Sequence, residues 1–178
     1  MILADGGGRW PVEDRSVKVF FSSRAIHLLP AGHVVAEAFR AASSGGARLI
    51  VGRVQRARES LRTRLRHEMR GRLRELGFEP VEGRSREQEV LATCCARGAR
   101  PLEPLAAAAW PASYSAESIL EAWRGKSGLA GLDVPASIKD SVLSALECWV
   151  TENFGSPGTQ HESEEKYVLE GVQLPAEC

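Results

Sequence analysis

A segment near the N-terminus constrains the fold more than any other part of the sequence. Residues 17–21 read VKVFF, a β-branched and aromatic run between polar turns, which predicts a strand buried on both faces. Residues 30–42 carry apolar side chains at helical spacing and precede Gly45 and Gly46, which predicts a helix and a turn. Residues 49–51 predict a second short buried strand. A strand, a helix and a strand in succession predict a right-handed parallel crossover.

The remaining sequence predicts further helices and strands. Helices are predicted over 56–76, 86–96, 116–124 and 135–154, and strands over 101–110 and 166–174. The first of these helices carries an apolar stripe at Leu61, Leu65, Met69, Leu73 and Leu76. Residues 155–164 are polar and predict a loop. The whole order predicts an α/β layered domain.

Composition limits the class of protein. A chain of 178 residues with 43% hydrophobic residues predicts one domain with one core. Its 23 basic and 23 acidic side chains cancel, so no overall field attracts nucleic acid or an anionic membrane. No stretch approaches the ~20 apolar residues that span a bilayer, and no signal sequence is evident, so we expect a cytoplasmic protein. The spacing of the four cysteines and four histidines predicts reduced thiols and no metal site.

Several short motifs follow one another in residues 4–52, which read ADGGGRWPVEDRSVKVFFSSRAIHLLPAGHVVAEAFRAASSGGARLIVG. In order along the chain, they are an acidic residue, a Trp-Pro turn, an acidic turn, a buried strand, a His-Leu-Leu-Pro run, a helix, a Gly-Gly turn and another buried strand. This order resembles the middle of the class I S-adenosylmethionine (SAM)-dependent methyltransferases of the small-molecule, type 11-like kind. The resemblance implies a partial Rossmann-like sheet, made of the later strands of a seven-stranded sheet, with helices on its faces and a C-terminal antiparallel strand.

The resemblance also implies part of a SAM site. Asp5 would accept a hydrogen bond from the adenine amino group, and the backbone at Gly6 would approach the ring. Ser22 and Ser23 follow the strand and would lie beside the transferring methyl group. His27 stands where the family often has a histidine, and it either orients the substrate or packs as a partly buried residue on a backbone carbonyl. For Asp5 the alternative is a plain turn residue, and no catalytic residue is assigned.

Other family features are missing from this sequence. The glycine-rich loop and the acidic residue that hold the cofactor carboxylate and ribose would precede residue 1, so the resemblance implies an N-terminally truncated catalytic domain. Lys18 replaces a common aspartate, and Ser43 and Ser44 replace Arg-Pro. On this basis residues 1–54 end the cofactor-binding half, residues 55–100 form helices, and residues 101–178 hold the last strands and a helical substrate cover. A non-catalytic remnant or interaction module is the alternative to an active enzyme.

The partners implied are a small-molecule methyl acceptor and a protein surface. Tyr114, Trp123 and Lys126 are candidate substrate contacts, although Trp110 and Trp123 also suit a hydrophobic core. Without an earlier strand, the edge of the strand at 17–21 would be covered by a partner or a second copy of the chain.

An arginine-rich run between Arg53 and Arg74 supports a rival hypothesis. Nine arginines stand there against Glu59 and Glu68. Such a stripe suits phosphate contacts in nucleic acid, but it lacks interleaved aromatic residues and also fits a solvated helix face. We favour the solvated face.

Overall fold

The structure, a computed structural model, describes residues 4–80 and 85–176. Its strands are β1 (Val19–Ser23), β2 (Ala47–Arg56), β3 (Arg100–Pro101), β4 (Leu105–Ser115) and β5 (Gln160–Leu174). Its helices are α1 (Ala31–Ala41), α2 (Leu61–Glu75), α3 (Arg86–Ala96), α4 (Ala116–Arg124) and α5 (Ala136–Phe154), with a single 3₁₀ turn at Ile26–Leu28. The predicted α/β class is confirmed.

The sheet has the order β1-β2-β5-β3, and β4 also pairs with β5. Strands β1 and β2 are parallel, with Val19 opposite Arg48 and Ser23 opposite Gly52, and α1 connects them. The parallel crossover predicted from the sequence is therefore present. Strand β3 runs antiparallel to β5, which confirms the antiparallel C-terminal strand.

The outer strand β1 is not buried on both faces as predicted. Val19 is 55% exposed and Phe21 is 59% exposed, whereas Phe20 and Ser22 are partly buried. Alternate side chains of a strand point to opposite faces, and here only one face is covered. The apolar run that suggested two buried faces therefore leaves large apolar side chains on the surface at the edge of the sheet.

The first strands and the arginine-rich helix differ in their bounds from the prediction. Strand β2 continues to Arg56, so the arginines at 53 and 56 lie on a strand rather than on a helix. Helix α2 begins only after Ser60, whose hydroxyl accepts a hydrogen bond from the backbone N–H of Thr63. The apolar stripe is buried as predicted except for Leu76, which ends the helix and is 47% exposed.

The later elements mostly agree with the sequence. Helices α3 and α4 have the predicted bounds, and their cap residues Ser85 and Ser115 accept hydrogen bonds from the first turn. The alanine-rich stretch is extended as predicted, but it is divided into β3 and β4 around Pro104. Residues 160–164 belong to β5, so the predicted loop there is wrong beyond Thr159.

The contacts group the chain into two compact units. The first unit contains Met1–Gln55, Gly83–Ala108 and Lys166–Cys178, and the second contains Arg56–Glu82 and Ala109–Glu165. Each unit has its own buried cluster, built on α1, α3 and β2 in the first and on α2, α4 and α5 in the second. The division at residues 54 and 100 drawn from the sequence stays a prediction.

Close backbone packing fixes the contact between β2 and β5. A Cβ atom at Gly171 would lie 2.6 Å from the carbonyl oxygen of Leu49, closer than real side chains approach. Glycine is therefore required at this position for the two strands to pair as they do.

Candidate functional site

A small apolar cavity lies at the carboxyl end of β1. We call it the β1 cavity; its volume is about 220 Å³. Its lining is mostly apolar, and its polar side chains are Trp10 and Ser22. The residues that line it are Trp10, Phe20, Phe21, Ser22, Ala25, Ile26, Leu29, Val34 and Leu49. In open α/β sheets ligands bind at the carboxyl ends of strands, so this is where a ligand of the first unit would be expected.

Gly6 lies beside the β1 cavity and its carbonyl is held in place. The indole Nε1 of Trp10 donates to the Gly6 carbonyl at 3.1 Å, and Nε2 of His33 lies 3.0 Å from the same oxygen. A Cβ atom at Gly6 would be 3.3 Å from a methyl carbon of Leu29, which itself lines the cavity. The backbone at Gly6 therefore contacts two residues that line the cavity, and a side chain there would crowd Leu29.

An ion-pair network fastens the Trp10 segment to α1. Arg40 binds Glu37 at 2.7 Å and Asp14 at 2.5 Å, and it also donates to the carbonyl of Trp10. The carboxylate of Glu37 accepts the backbone N–H of Trp10 at 2.8 Å. The Arg40 hydrogen bond, followed by that of the Trp10 backbone, lowers the pKa of Glu37 to about 2. Both carboxyl groups therefore stay charged at neutral pH and hold one wall of the cavity.

The two serines predicted for the cofactor lie on opposite faces of β1. Ser22 lines the β1 cavity. The hydroxyl of Ser23 accepts a 2.5 Å hydrogen bond from the Tyr167 hydroxyl of β5. Tyr167 reaches over β2 at Gly52, where a Cβ atom would overlap its ring. Because adjacent side chains of a strand point to opposite faces, the sequence alone could have shown that Ser22 and Ser23 do not face the same site.

Asp5 and His27 occupy exposed positions. One carboxylate oxygen of Asp5 accepts the backbone N–H of Gly7 at 2.9 Å, which is an Asx turn and matches the turn-residue alternative. His27 itself is exposed in the 3₁₀ turn, so the interpretation as a partly buried residue is wrong for this residue. The histidine that meets a backbone carbonyl is His33, which the sequence did not single out because its partner Gly6 is 27 residues away.

The predicted substrate residues belong to the second unit. The hydroxyl of Tyr114 donates to the Glu165 carboxylate at 3.0 Å, and the guanidinium of Arg62 lies 5.2 Å from the Tyr114 ring. Trp123 is buried in the core of this unit, as the core alternative expected, while Trp110 is only partly buried. Trp123 and Lys126 also line one large cleft, which Tyr114 does not.

The sequence also predicted reduced thiols, no metal site and no membrane-spanning segment. Cys94, Cys95 and Cys148 are free thiols, and Cys178 lies outside the described residues. Burial raises the pKa of the Cys94 thiol to about 11. Within residues 4–80 and 85–176, acidic residues, histidines and cysteines form no metal-binding group. Over the same residues, no helix is long and apolar enough to cross a bilayer.

Comparison with known proteins gives matches only at the level of three-dimensional structure. Neither a protein-family model nor a curated protein sequence matches the chain. The chain is similar to a protein from Bacillus halodurans C-125 assigned as a methyltransferase, with 14% identity, a TM-score of 0.48 and coverage of 97% of this chain and 70% of that one. It is also similar to the geranyl diphosphate C-methyltransferase of Streptomyces coelicolor A3(2), with 11% identity, a TM-score of 0.42 and 98% of this chain covered.

A third similar structure is a protein from Anaeromyxobacter dehalogenans assigned as a type II methyltransferase, with 12% identity, a TM-score of 0.39 and coverage of 93% of this chain and 67% of that one. The chain spans 54% of the Streptomyces enzyme, which is about half its length.

Proposed function

We propose that this chain is part of a SAM-dependent methyltransferase that acts on a small molecule, with one end of the cofactor at the β1 cavity. The observation that carries the proposal is an apolar cavity at the carboxyl end of a parallel strand, beside the same glycine and serine that the resemblance assigns to the cofactor. Asp5, Gly6 and Ser22 are the proposed cofactor contacts. Ser23 is proposed as a support for β1, because its hydroxyl is engaged by Tyr167.

The size of the cavity supports a site for part of SAM rather than for all of it. Its volume of about 220 Å³ suits a planar ring between apolar and aromatic walls, but it is below the ~300–1,000 Å³ of sites that enclose a whole drug-sized ligand. Among the described residues, the second carboxylate oxygen of Asp5 has no hydrogen-bond partner, and the side chain is exposed, so it can accept a further hydrogen bond. These features support adenine binding, while the ribose and carboxylate contacts would have to come from elsewhere.

When bound, SAM supplies a methyl group on a positively charged sulfur, which an acceptor atom attacks in line. The residues of this chain would orient the cofactor and exclude water from one face of its ring. Positioning of this kind can account for much of the rate of a two-reactant transfer. We assign no general base.

Calorimetry with SAM and S-adenosylhomocysteine tests the proposal, with two matched serine variants. Ser22→Leu fills the β1 cavity and is expected to weaken binding at least about tenfold, the effect of losing ~1.4 kcal/mol of contact free energy. Ser44→Leu makes the same change at an exposed serine that does not line the cavity and is expected to leave binding within about twofold. Circular dichroism checks that both variants fold. Equal losses in the two variants, or no saturable heat at millimolar ligand, would contradict a cofactor site here.

An interaction module is the second candidate, and the edge strand β1 favours it. Val19 and Phe21 are exposed on a strand that, among the described residues, pairs with β2 alone. Unpaired apolar edges promote association, so a second copy of the chain is the proposed occupant. Phe21→Lys is then expected to shift a dimer to monomer in analytical ultracentrifugation, with Leu76→Lys as an exposed-leucine control. A wild-type chain that stays monomeric at high micromolar concentration would exclude self-association.

A further inference from the structure

The second unit contains a cleft whose charges the cofactor proposal does not use. We call it the arginine cleft; its volume is about 900 Å³. Arg66, Met69 and Arg70 of α2 form one side. The segment 126–133, which follows α4, forms the other side, and Trp123 contributes to the lining. This volume falls in the range of small-molecule sites.

The wall made by residues 126–133 is held in one conformation by its own hydrogen bonds. Leu129 and Leu132 exchange backbone hydrogen bonds of 3.0 and 2.9 Å across a tight turn. Ala130 and Gly131 at its centre have φ values of 55° and 82°, the left-handed conformation that this turn requires. The ammonium group of Lys139 donates to the backbone carbonyl of Lys126 at the start of the segment. A wall fixed in this way is organised before a ligand arrives.

The charges that line the cleft are mostly positive. Arg66, Arg70 and Lys126 face a single acidic lining residue, Asp133. Two of the neighbouring arginines are neutralised by acids, since Arg56 binds Glu165 at 2.7 Å and Arg72 binds Glu68 at 3.0 Å. Within the described part of the chain, Arg66 and Arg70 have no such acidic partner. These two guanidinium groups are therefore available to an external anion.

The arginines of this region also repel one another and leave donors unsatisfied. Partial desolvation, followed by the charges of Arg56, Arg62 and Arg70, lowers the pKa of Arg66. Among the described residues, the Nε atoms of Arg62, Arg70 and Arg72 are buried without a hydrogen-bond partner. Of these three arginines only Arg70 lines the cleft. A buried donor without a partner costs free energy, which a hydrogen bond from Arg70 to a bound anion would recover. Both observations indicate a place where negative charge would be stabilising.

We propose that the arginine cleft binds a small phosphate-bearing anion, such as a phosphate monoester or diphosphate group. Guanidinium groups bind phosphate through pairs of parallel hydrogen bonds, and Arg66 and Arg70 lie four residues apart on one face of α2. A small ligand is favoured over nucleic acid because the one aromatic side chain that lines the cleft, Trp123, is buried in the core and offers no surface on which bases stack. The site does not depend on cofactor binding in the first unit.

Titration calorimetry with inorganic pyrophosphate tests this site, in metal-free buffer containing a chelator. The wild-type chain is expected to bind saturably, and binding should weaken as sodium chloride is raised. Arg66→Gln and Arg70→Gln are each expected to lower the affinity about tenfold, while Arg66→Lys recovers part of the loss. Arg58→Gln removes a charge from the same arginine-rich region at an exposed position that does not line the cleft. It should leave the affinity within about twofold.

Three results would overturn the proposal. The first is no saturable heat with pyrophosphate at millimolar concentration. The second is an equal loss of affinity in Arg58→Gln and Arg66→Gln, which would mean that general positive charge binds the anion. The third is binding of single-stranded RNA or DNA at low salt without any binding of pyrophosphate, which would favour a nucleic-acid surface. None of these results depends on whether SAM binds, so the two proposals can fail separately.

Discussion

Arginine has different roles in the two units of this protein. In the first unit, Arg40 is enclosed by Glu37, Asp14 and backbone carbonyls, and these carboxylates raise its pKa. In the second unit, Arg66 has arginine neighbours, and burial with their charges lowers its pKa. A paired arginine fixes a segment of chain, and an unpaired one leaves its hydrogen-bond donors for a ligand. The first unit therefore has an apolar cavity with a wall held by ion pairs, and the second has a cleft lined by unpaired positive charges.

The sharpest test of this contrast compares adjacent residues on α2. Leu65 is fully buried in the second unit, and Leu65→Ala is expected to lower the free energy of unfolding by about 3 kcal/mol through lost burial and a residual cavity. Urea denaturation followed by circular dichroism measures the change. If Leu65→Ala lowers the free energy of unfolding no more than Arg66→Gln does, the apolar stripe of α2 does not stabilise this unit. Arg66 would then not differ from the residues that stabilise the fold.

The next test concerns the paired charges of the first unit. Glu37→Gln is expected to lower the free energy of unfolding at pH 7 by about 2 kcal/mol, because Arg40 and the Trp10 backbone lose a charged acceptor. The folded pKa of Glu37 is about 2, below its usual 4.5, so its contribution is complete above about pH 4.5 and is lost as the pH falls toward 2.

The pH dependence of that deficit supplies the decisive measurement. Urea unfolding of the wild type and Glu37→Gln at pH 7, 5 and 3.5 should give a difference that is constant between pH 7 and 5 and smaller at pH 3.5. Glu59→Gln, at an exposed glutamate, serves as the matched control and should change stability little at any of these values. A deficit that did not change with pH would show that the ionised carboxylate is not what stabilises the Trp10 segment.

The smallest expected effect on stability comes from removing an unpaired arginine of the second unit. Arg66→Gln should change the free energy of unfolding by no more than about 0.5 kcal/mol, in the stabilising direction at low salt, because it relieves repulsion among arginines. The gain should shrink in 0.5 M sodium chloride. Denaturation curves at the two salt concentrations measure this. A clear loss of stability would mean that Arg66 has a structural role like that of Arg40.

Sequence reasoning succeeded where a local signal marks an element. Helices α3 and α4 have their predicted bounds because serine caps and terminal glycine turns act within a few residues. It failed where a distant partner decides the structure. Strand β2 extends to Arg56 beside Glu165 and Glu170, which pair with its arginines from more than a hundred residues away. That pairing explains why the helix expected from residue 56 begins only at Leu61.

The candidate sites follow the same division. The carboxyl end of β1 could be located from the sequence because a strand, a helix and a parallel strand follow one another within 40 residues. The contact between His33 and Gly6 could not be predicted from the sequence. Nor could the sequence show which arginines are paired with acids and which are not. Both depend on which acidic side chains approach each arginine or carbonyl after folding. The arginine run indicated phosphate chemistry, but only the structure separates Arg66 and Arg70 from their neutralised neighbours.

The hydrogen bond from Tyr167 to Ser23 has a consequence for how this sequence can vary. It passes over β2 only because position 52 carries no side chain. Residues 52 and 167 should therefore change together: a relative with alanine or a larger residue at position 52 should carry a smaller residue than tyrosine at position 167. In such a relative the serine at the end of the first strand would be free to turn toward solvent or toward a ligand.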